Sequence, residues 1–195
     1  MSRPREFDVE KVLDQSMEVF WDKGYKTTSF EDLTKKTNVK KQSLYGVFDD
    51  KRTLFLKALA LYGRKNIDML KAMTQNGGSP TEILDAIKSA SSSVSGGEEG
   101  HRSCLMVNSA LEFGVSDQEV TQEIERMFDD VQSVLEEVIR KGQEANEITT
   151  RFSSKQLAAH LANAMRGAKI LEKSGAPLEY IENTLETSFN LIKRY

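Results

Sequence analysis

The chain has 195 residues, 38% hydrophobic and 29% charged, with a formal net charge of −3. That balance fits a soluble globular protein rather than a disordered or membrane-embedded one. No run of 18 apolar residues exists and the start, Met1 to Glu6, has no apolar stretch behind it, so neither a membrane span nor a secretory leader is expected. A single cysteine, Cys104, excludes an intramolecular disulfide framework and points to a reducing compartment, the cytoplasm.

Charge is unevenly spread. Residues 1–65 carry 14 Lys/Arg against 10 Asp/Glu, whereas residues 66–195 carry 13 against 20. A basic N-terminal unit joined to an acidic remainder suggests that only the first part meets a polyanion.

Helical periodicity recurs along the whole chain and strand signals are nearly absent. Val9, Val12, Leu13, Met17 and Phe20 mark a first amphipathic helix, which Gly24 ends. Thr28 or Ser29 caps a short second helix, with Glu31 or Asp32 returning the bond, and Asn38 closes it. A third helix runs from about Lys40 to Asp49. Asp49 or Asp50 caps a fourth, striped by Phe55, Leu59, Tyr62, Leu70 and Met73.

A break at Gln75–Gly78 precedes Ser79-Pro80-Thr81-Glu82, a capping box with proline at the first helical position. Ser91–Gly100 reads as a flexible loop. Further helices are predicted from about His101 to Phe113, from Asp117 to about Lys141, from Ser154 to Lys173 and from Pro177 to Arg194. The fold class is all-α with about nine helices: a three-helix unit over 1–50, and a larger helical domain over 51–195.

Residues 28–48 combine two short helices with a tight turn at Thr37-Asn38-Val39, where asparagine tolerates the left-handed conformation. Phe30, Leu33, Val39, Leu44 and Phe48 are spaced to bury inward. Lys40, Lys41, Gln42, Ser43 and Tyr45 then remain outward. Lysines attract phosphates, Gln42 and Ser43 can hydrogen-bond base edges, and Tyr45 can offer its hydroxyl to a phosphate. Lys51 adds a positive charge at the next helix start. Periodicity alone leaves open a merely solvated basic face.

The stretch from Val9 to Phe55 resembles the DNA-binding domain of the TetR (tetracycline repressor) family. Thr28-Ser29, Leu33, Val39, Leu44-Tyr45-Gly46-Val47-Phe48, Lys51 and Leu54 match that family's pattern, which ends in Leu-Tyr-x-x-Phe-x-x-Lys-x-x-Leu. The resemblance implies a helix from Lys40 in the major groove, with Tyr45 and Lys51 on phosphates and Thr28 and Ser29 at the interface. Thr37-Asn38 replaces the usual Ala-Gly, and Lys40 and Gln42 replace small residues, so the operator sequence does not follow. The family's mode further implies a homodimeric repressor on near-palindromic operator DNA, released by a small-molecule effector.

In the larger domain, Leu157, Leu161, Ala164, Ala168 and Leu171 follow a 4,3,4,3 spacing, and Leu178, Ile181, Leu185 and Phe189 stripe the last helix. These stripes fill either the protomer's own core or, as the resemblance implies, an intermolecular four-helix bundle. The segment from His101 to Phe113 is similar to that of a TetR subgroup in which some members sense electrophiles or oxidants through the matching cysteine. Cys104, near His101 and Arg102, is therefore either such a sensor or a small buried hydrophobe. Cys104, Asn108, His160 and Asn163, with Phe113, Met127, Phe128 and Met165 as apolar walls, form the candidate effector pocket. An enzyme is disfavoured. A carboxylate-bridged metal pair needs two Glu-x-x-His motifs, and only Glu98-x-x-His101 is present. Neither a phosphate loop nor zinc spacing occurs, so no metal or cofactor is expected.

Overall fold

A computed structural model describes residues 7–92 and 102–194. Among the described residues there are nine α-helices and no strand beyond an isolated antiparallel bridge between Ile148 and Lys193. The helices are α1 (Val9–Lys23), α2 (Phe30–Thr37), α3 (Lys41–Phe48), α4 (Lys51–Gln75), α5 (Pro80–Ser92), α6 (Leu105–Phe113), α7 (Gln118–Glu144), α8 (Ser154–Lys173) and α9 (Leu178–Asn190).

Most boundaries follow from caps. Asp8 accepts from Glu10 N and Lys11 N at the start of α1, and Gly24 ends that helix at φ +78°. Ser29 and Asp32 bond each other's backbone N–H reciprocally, as do Ser153 and Gln156. Ser79 and Glu82 do the same ahead of α5. Each device satisfies backbone groups that a helix end would leave bare. Asp50 caps α4 by accepting from Thr53 N at 2.6 Å.

Two helices differ from expectation. Helix α6 begins at Leu105 rather than near His101, because Ser103 takes a left-handed φ of 51° and Cys104 is extended. His101, Glu98 and residues 93–100 of the expected loop lie outside the described residues, and Ser91 and Ser92 close α5. Helix α9 stops at Asn190 rather than Arg194. Beyond it the chain turns to pair with residues 147–149: Thr149 N donates to Ile192 O and Arg194 N to Glu147 O.

The chain forms two compact units, Met1–Arg64 with Cys104–Ile124, and Lys65–Ser103 with Glu125–Tyr195. This differs from the division at 50/51. The first turns of α4, all of α6 and the start of α7 pack with the N-terminal helices, a pairing between distant segments that local sequence does not display.

The first unit is built on aromatics. Phe20 meets Phe55 edge-on at 5.1 Å, and Phe113 stacks on Phe55 at 5.4 Å and lies 5.2 Å from Tyr25. Leu33, Leu44, Phe48, Leu54 and Leu59, with Leu105 and Met106 of α6, are almost fully buried. Such rings bury large apolar areas and prefer offset or edge contacts over face-to-face ones.

The second unit has an aliphatic core. Leu84 and Ile87 of α5 and Leu135, Val138 and Ile139 of α7 pack with α8 and α9. Here the expected dimer stripes need correction. Leu157, Leu161, Ala168, Ile181, Leu185 and Phe189 are buried in the protomer's own core, with 0–5% exposure. A side chain so enclosed has no surface left for a second chain. Ala164 and Leu171 are half-buried against the same core, and only Leu178 is well exposed.

Gly142 on α7 shows how tight this core is. A Cβ there would come within 2.7 Å of Ile148 Cγ1 and 3.1 Å of Pro80 Cβ. Ile148 is fully buried and cannot retreat. Gly142→Ala should gain about 1 kcal/mol of helix propensity yet lose more by overpacking, roughly 1–3 kcal/mol. Urea unfolding should therefore show a lower midpoint with an unchanged slope.

Candidate nucleic-acid interface

Helices α2 and α3 are joined by Asn38, Val39 and Lys40. Thr37 is the last residue of α2 rather than part of the turn, and Asn38 holds the left-handed conformation at φ 54°, ψ 30°. Thr37 Oγ1 donates to Leu33 O at 2.7 Å and accepts from Val39 N at 3.3 Å, tying the turn to the helix before it. Leu33, Val39, Leu44 and Phe48 are buried and fix the pose of α3. Phe30, expected inside, is only half-buried.

That pose leaves Lys40, Lys41, Gln42 and Tyr45 exposed, with Ser43 half-buried among them. Lys40 is the N-cap residue of α3 and its side chain makes no cap hydrogen bond; the first turn holds no acid. The positive end of the helix therefore adds to the lysines instead of being neutralised. Together they form a cationic, hydrogen-bonding ridge about two turns long, the chemistry that a groove of a polyanionic duplex requires.

Three expected contact residues prove to have structural partners. Thr28 is buried, and its Oγ1 donates to Gly24 O at 2.5 Å. Ser29 is exposed and spends its hydroxyl in the cap with Asp32. The Lys23 ammonium, hydrogen-bonded to Asp32, with further bonds from Ser29, holds that carboxyl well below its usual range. Lys51 Nζ donates to Tyr25 O and Thr28 O, both at 2.9 Å, and stands 4.3 Å from the centre of the Tyr25 ring. It pins the loop between α1 and α2.

The same loop has a second anchor, which sequence reading missed. The Glu112 carboxylate, at the end of α6, accepts from Tyr25 N at 2.9 Å and Lys26 N at 2.5 Å. Lys26 Nζ donates back to Glu112 O at 2.8 Å. Nearby, Arg52 grips Asp117 through two bonds of 3.0 and 2.9 Å and reaches Glu119 at 2.5 Å. Those bonds from Arg52 hold the Asp117 carboxyl below its ordinary value, and burial followed by the Asp50 charge raises the Tyr25 phenol. A two-pronged Arg–carboxylate pair is among the stronger surface contacts.

The eight residues expected around an effector are divided between the two units. Cys104, Asn108 and Phe113 belong to the first unit, where Cys104 is buried at 9% exposure and Phe113 is part of the aromatic core. Met127, Phe128, His160, Asn163 and Met165 belong to the second. His160 and Asn163, expected among the polar groups of the pocket, both sit on the exposed side of α8. Asn163 Oδ1 accepts from Arg166, whose guanidinium lies 4.3 Å from the Phe128 ring centre. A cleft of about 320 Å³ opens in the second unit, floored by Pro80, Ile83, Val134 and Val138 and rimmed by charged residues including Lys71 and Lys141. None of the eight lines it. No group of three or more potential metal ligands occurs among the described residues.

A buried hairpin of two short helices presenting such a ridge defines the class of helix-turn-helix DNA-binding regulators. Residues 12–58 match the description "Bacterial regulatory proteins, tetR family", and residues 80–185 match "Tetracyclin repressor-like, C-terminal domain". The chain belongs to the TetR family of transcriptional regulators. It is 25% identical over 194 residues to the HTH-type transcriptional regulator YezE of Bacillus subtilis, covering 98% of this chain and 100% of YezE. It is also 25% identical over 199 residues to the HTH-type transcriptional repressor ComR of Escherichia coli, covering 97% of this chain and 90% of ComR. Among solved structures, a cysteine mutant of the TetR-family regulator CifR, complexed with 26 bp double-strand operator DNA, superposes with a TM-score of 0.80. That match is 26% identical and covers 98% of this chain and 100% of CifR.

Removing the Glu112 carboxylate should free two backbone donors in the loop that Lys51 also holds. Hydrogen bonds to a charged acceptor are worth roughly 1.5–3 kcal/mol. Glu112→Ala should cost about 2 kcal/mol of stability, and hydrogen exchange should show faster exchange at the Tyr25 and Lys26 amides.

Proposed function

We propose that this chain represses transcription as a homodimer on near-palindromic operator DNA in the cytoplasm, and that a small-molecule effector releases it. The observation that carries the reading is the exposed face of α3, where Lys40, Lys41, Gln42 and Tyr45 share a surface that Leu44 and Phe48 hold in place. ComR, a repressor by name, and CifR, solved on operator DNA, support it. Two protomers would present two α3 helices to half-sites about one helical turn, roughly 34 Å, apart. Among the described residues no helix is long and apolar enough to cross a membrane, and neither a cofactor nor catalysis enters the proposed role.

The dimer rests on the outward side of α8 and α9, where Ile170, Leu178 and Tyr180 are 47%, 44% and 58% exposed. A Cβ at Gly167 would meet nothing within 4 Å, so a second backbone can approach closely there. Ala164 flanks this surface. The effector is assigned to the second unit, where the cleft below Val134 is large enough for a small organic molecule. Burial of Cys104 favours this non-covalent route over a thiol sensor. To release DNA, the effector must bind the DNA-free arrangement better; a 100-fold preference corresponds to roughly 2.7 kcal/mol of coupling.

Selection from random duplexes should enrich a palindrome, and affinity should fall steeply with salt as phosphate contacts release counterions. Gln42→Ala should change base preference, whereas Tyr45→Ala should weaken all sequences alike. Enrichment of no palindrome would sink the proposal. In sedimentation, Ile170→Glu and Tyr180→Glu should yield folded monomers, because a charge would be buried against the partner. Ala168→Glu should instead unfold the protomer. Val134→Trp should abolish the effector response while leaving operator binding intact. A Cys104→Ser variant that lost the response, together with a quinone adduct by mass spectrometry, would return the sensing role to the thiol.

A further inference from the structure

Phe30 has the spacing of a core residue, yet the fold leaves it half-buried at the first position of α2. Its ring centre lies 4.6 Å from that of Tyr45, with the planes tilted by 34°. Lys41 Nζ stands 5.0 Å from the Phe30 centre and 5.6 Å from the Tyr45 centre. Both distances fall inside the range at which a ring quadrupole attracts an ammonium.

Lys41 is otherwise poorly placed. It is the first residue of α3, where the helix dipole is positive, and the first turn has no acid to offset it. The two rings are what hold the cation there in the absence of an anion. A flexible lysine loses most of its rotamer freedom when it meets a phosphate. An ammonium already cradled by rings has lost part of that freedom beforehand.

We propose that Phe30 is a positioning residue of the DNA interface: with Tyr45 it forms a two-ring cradle that fixes the Lys41 ammonium where a backbone phosphate binds. The proposal rests on the DNA-binding reading and adds to it a residue that need not touch DNA. Phe30→Leu keeps apolar bulk but removes the quadrupole. Without the cradle, binding must itself immobilise the Lys41 side chain, a cost that corresponds to about threefold in affinity per half-site, hence about tenfold across two.

The test measures affinity for the selected operator, at one fixed salt concentration, of the wild type, Phe30→Leu, Phe30→Tyr, Lys41→Met and the Phe30→Leu/Lys41→Met double variant. Phe30→Leu should bind about tenfold more weakly and Phe30→Tyr almost normally. In the Lys41→Met background Phe30→Leu should cost little, because a residue acting through another is not additive with it. NMR of the free protein should show the Lys41 ε-methylene protons shifted upfield by the rings, and returned toward ordinary values in Phe30→Leu. The cradle is overturned if Phe30→Leu binds like the wild type, if its loss persists undiminished without Lys41, or if the Lys41 resonance is unshifted. A wild-type protein that retains no duplex would instead overturn the DNA-binding reading itself.

Discussion

Two backbone amides in the loop after α1, those of Tyr25 and Lys26, need an acceptor, and the loop supplies none of its own. Glu112 provides it from the end of α6. Because the same loop carries the carbonyls that Lys51 binds, it joins three stretches of chain at one point: the end of α1, the start of α4 and the end of α6. A backbone amide that loses its partner in a partly buried site costs stability, so this junction limits how the recognition hairpin can be arranged relative to α6 within the first unit. Phe113, one residue beyond Glu112, continues the contact as apolar burial on Phe55 and Tyr25.

The recognition face follows from that frame. Leu44 and Phe48 point α3's apolar side inward, so its lysines and Gln42 have nowhere to go but out. Thr28 and Lys51, which look like DNA ligands from the family pattern, also set the loop geometry. Substituting either one would therefore loosen the loop between α1 and α2.

What the sequence made legible was local. Ser29 with Asp32, Ser79 with Glu82, and Gly24 announce helix ends because a cap involves residues a few positions apart. Family resemblance located the hairpin, and the match over residues 12–58 agrees with it. The candidate sites were less legible. The 4,3,4,3 stripe on α8 shows that one face is buried, but spacing cannot say whether by the same chain or another; Leu157 and Leu161 turn inward. Phe30 was grouped with the core because periodicity does not resolve a residue at a helix's first turn. Glu112 and Arg52 bind partners far along the chain, and their own neighbours in sequence give no hint of this. His160 and Asn163 looked misplaced on an apolar helix, yet they lie on its wet side.

The pairing beyond α9 has a practical meaning for anyone handling the protein. Ile192 is buried, Lys193 bonds both oxygens of Asp85 at 2.8 Å, and Arg194 N reaches Glu147 O. These last positions are therefore working parts of the second unit, although a secondary-structure diagram shows the final helix finished at Asn190. Trimming the chain back to that helix would open the core and leave Lys88 alone to pair with the Asp85 carboxylate.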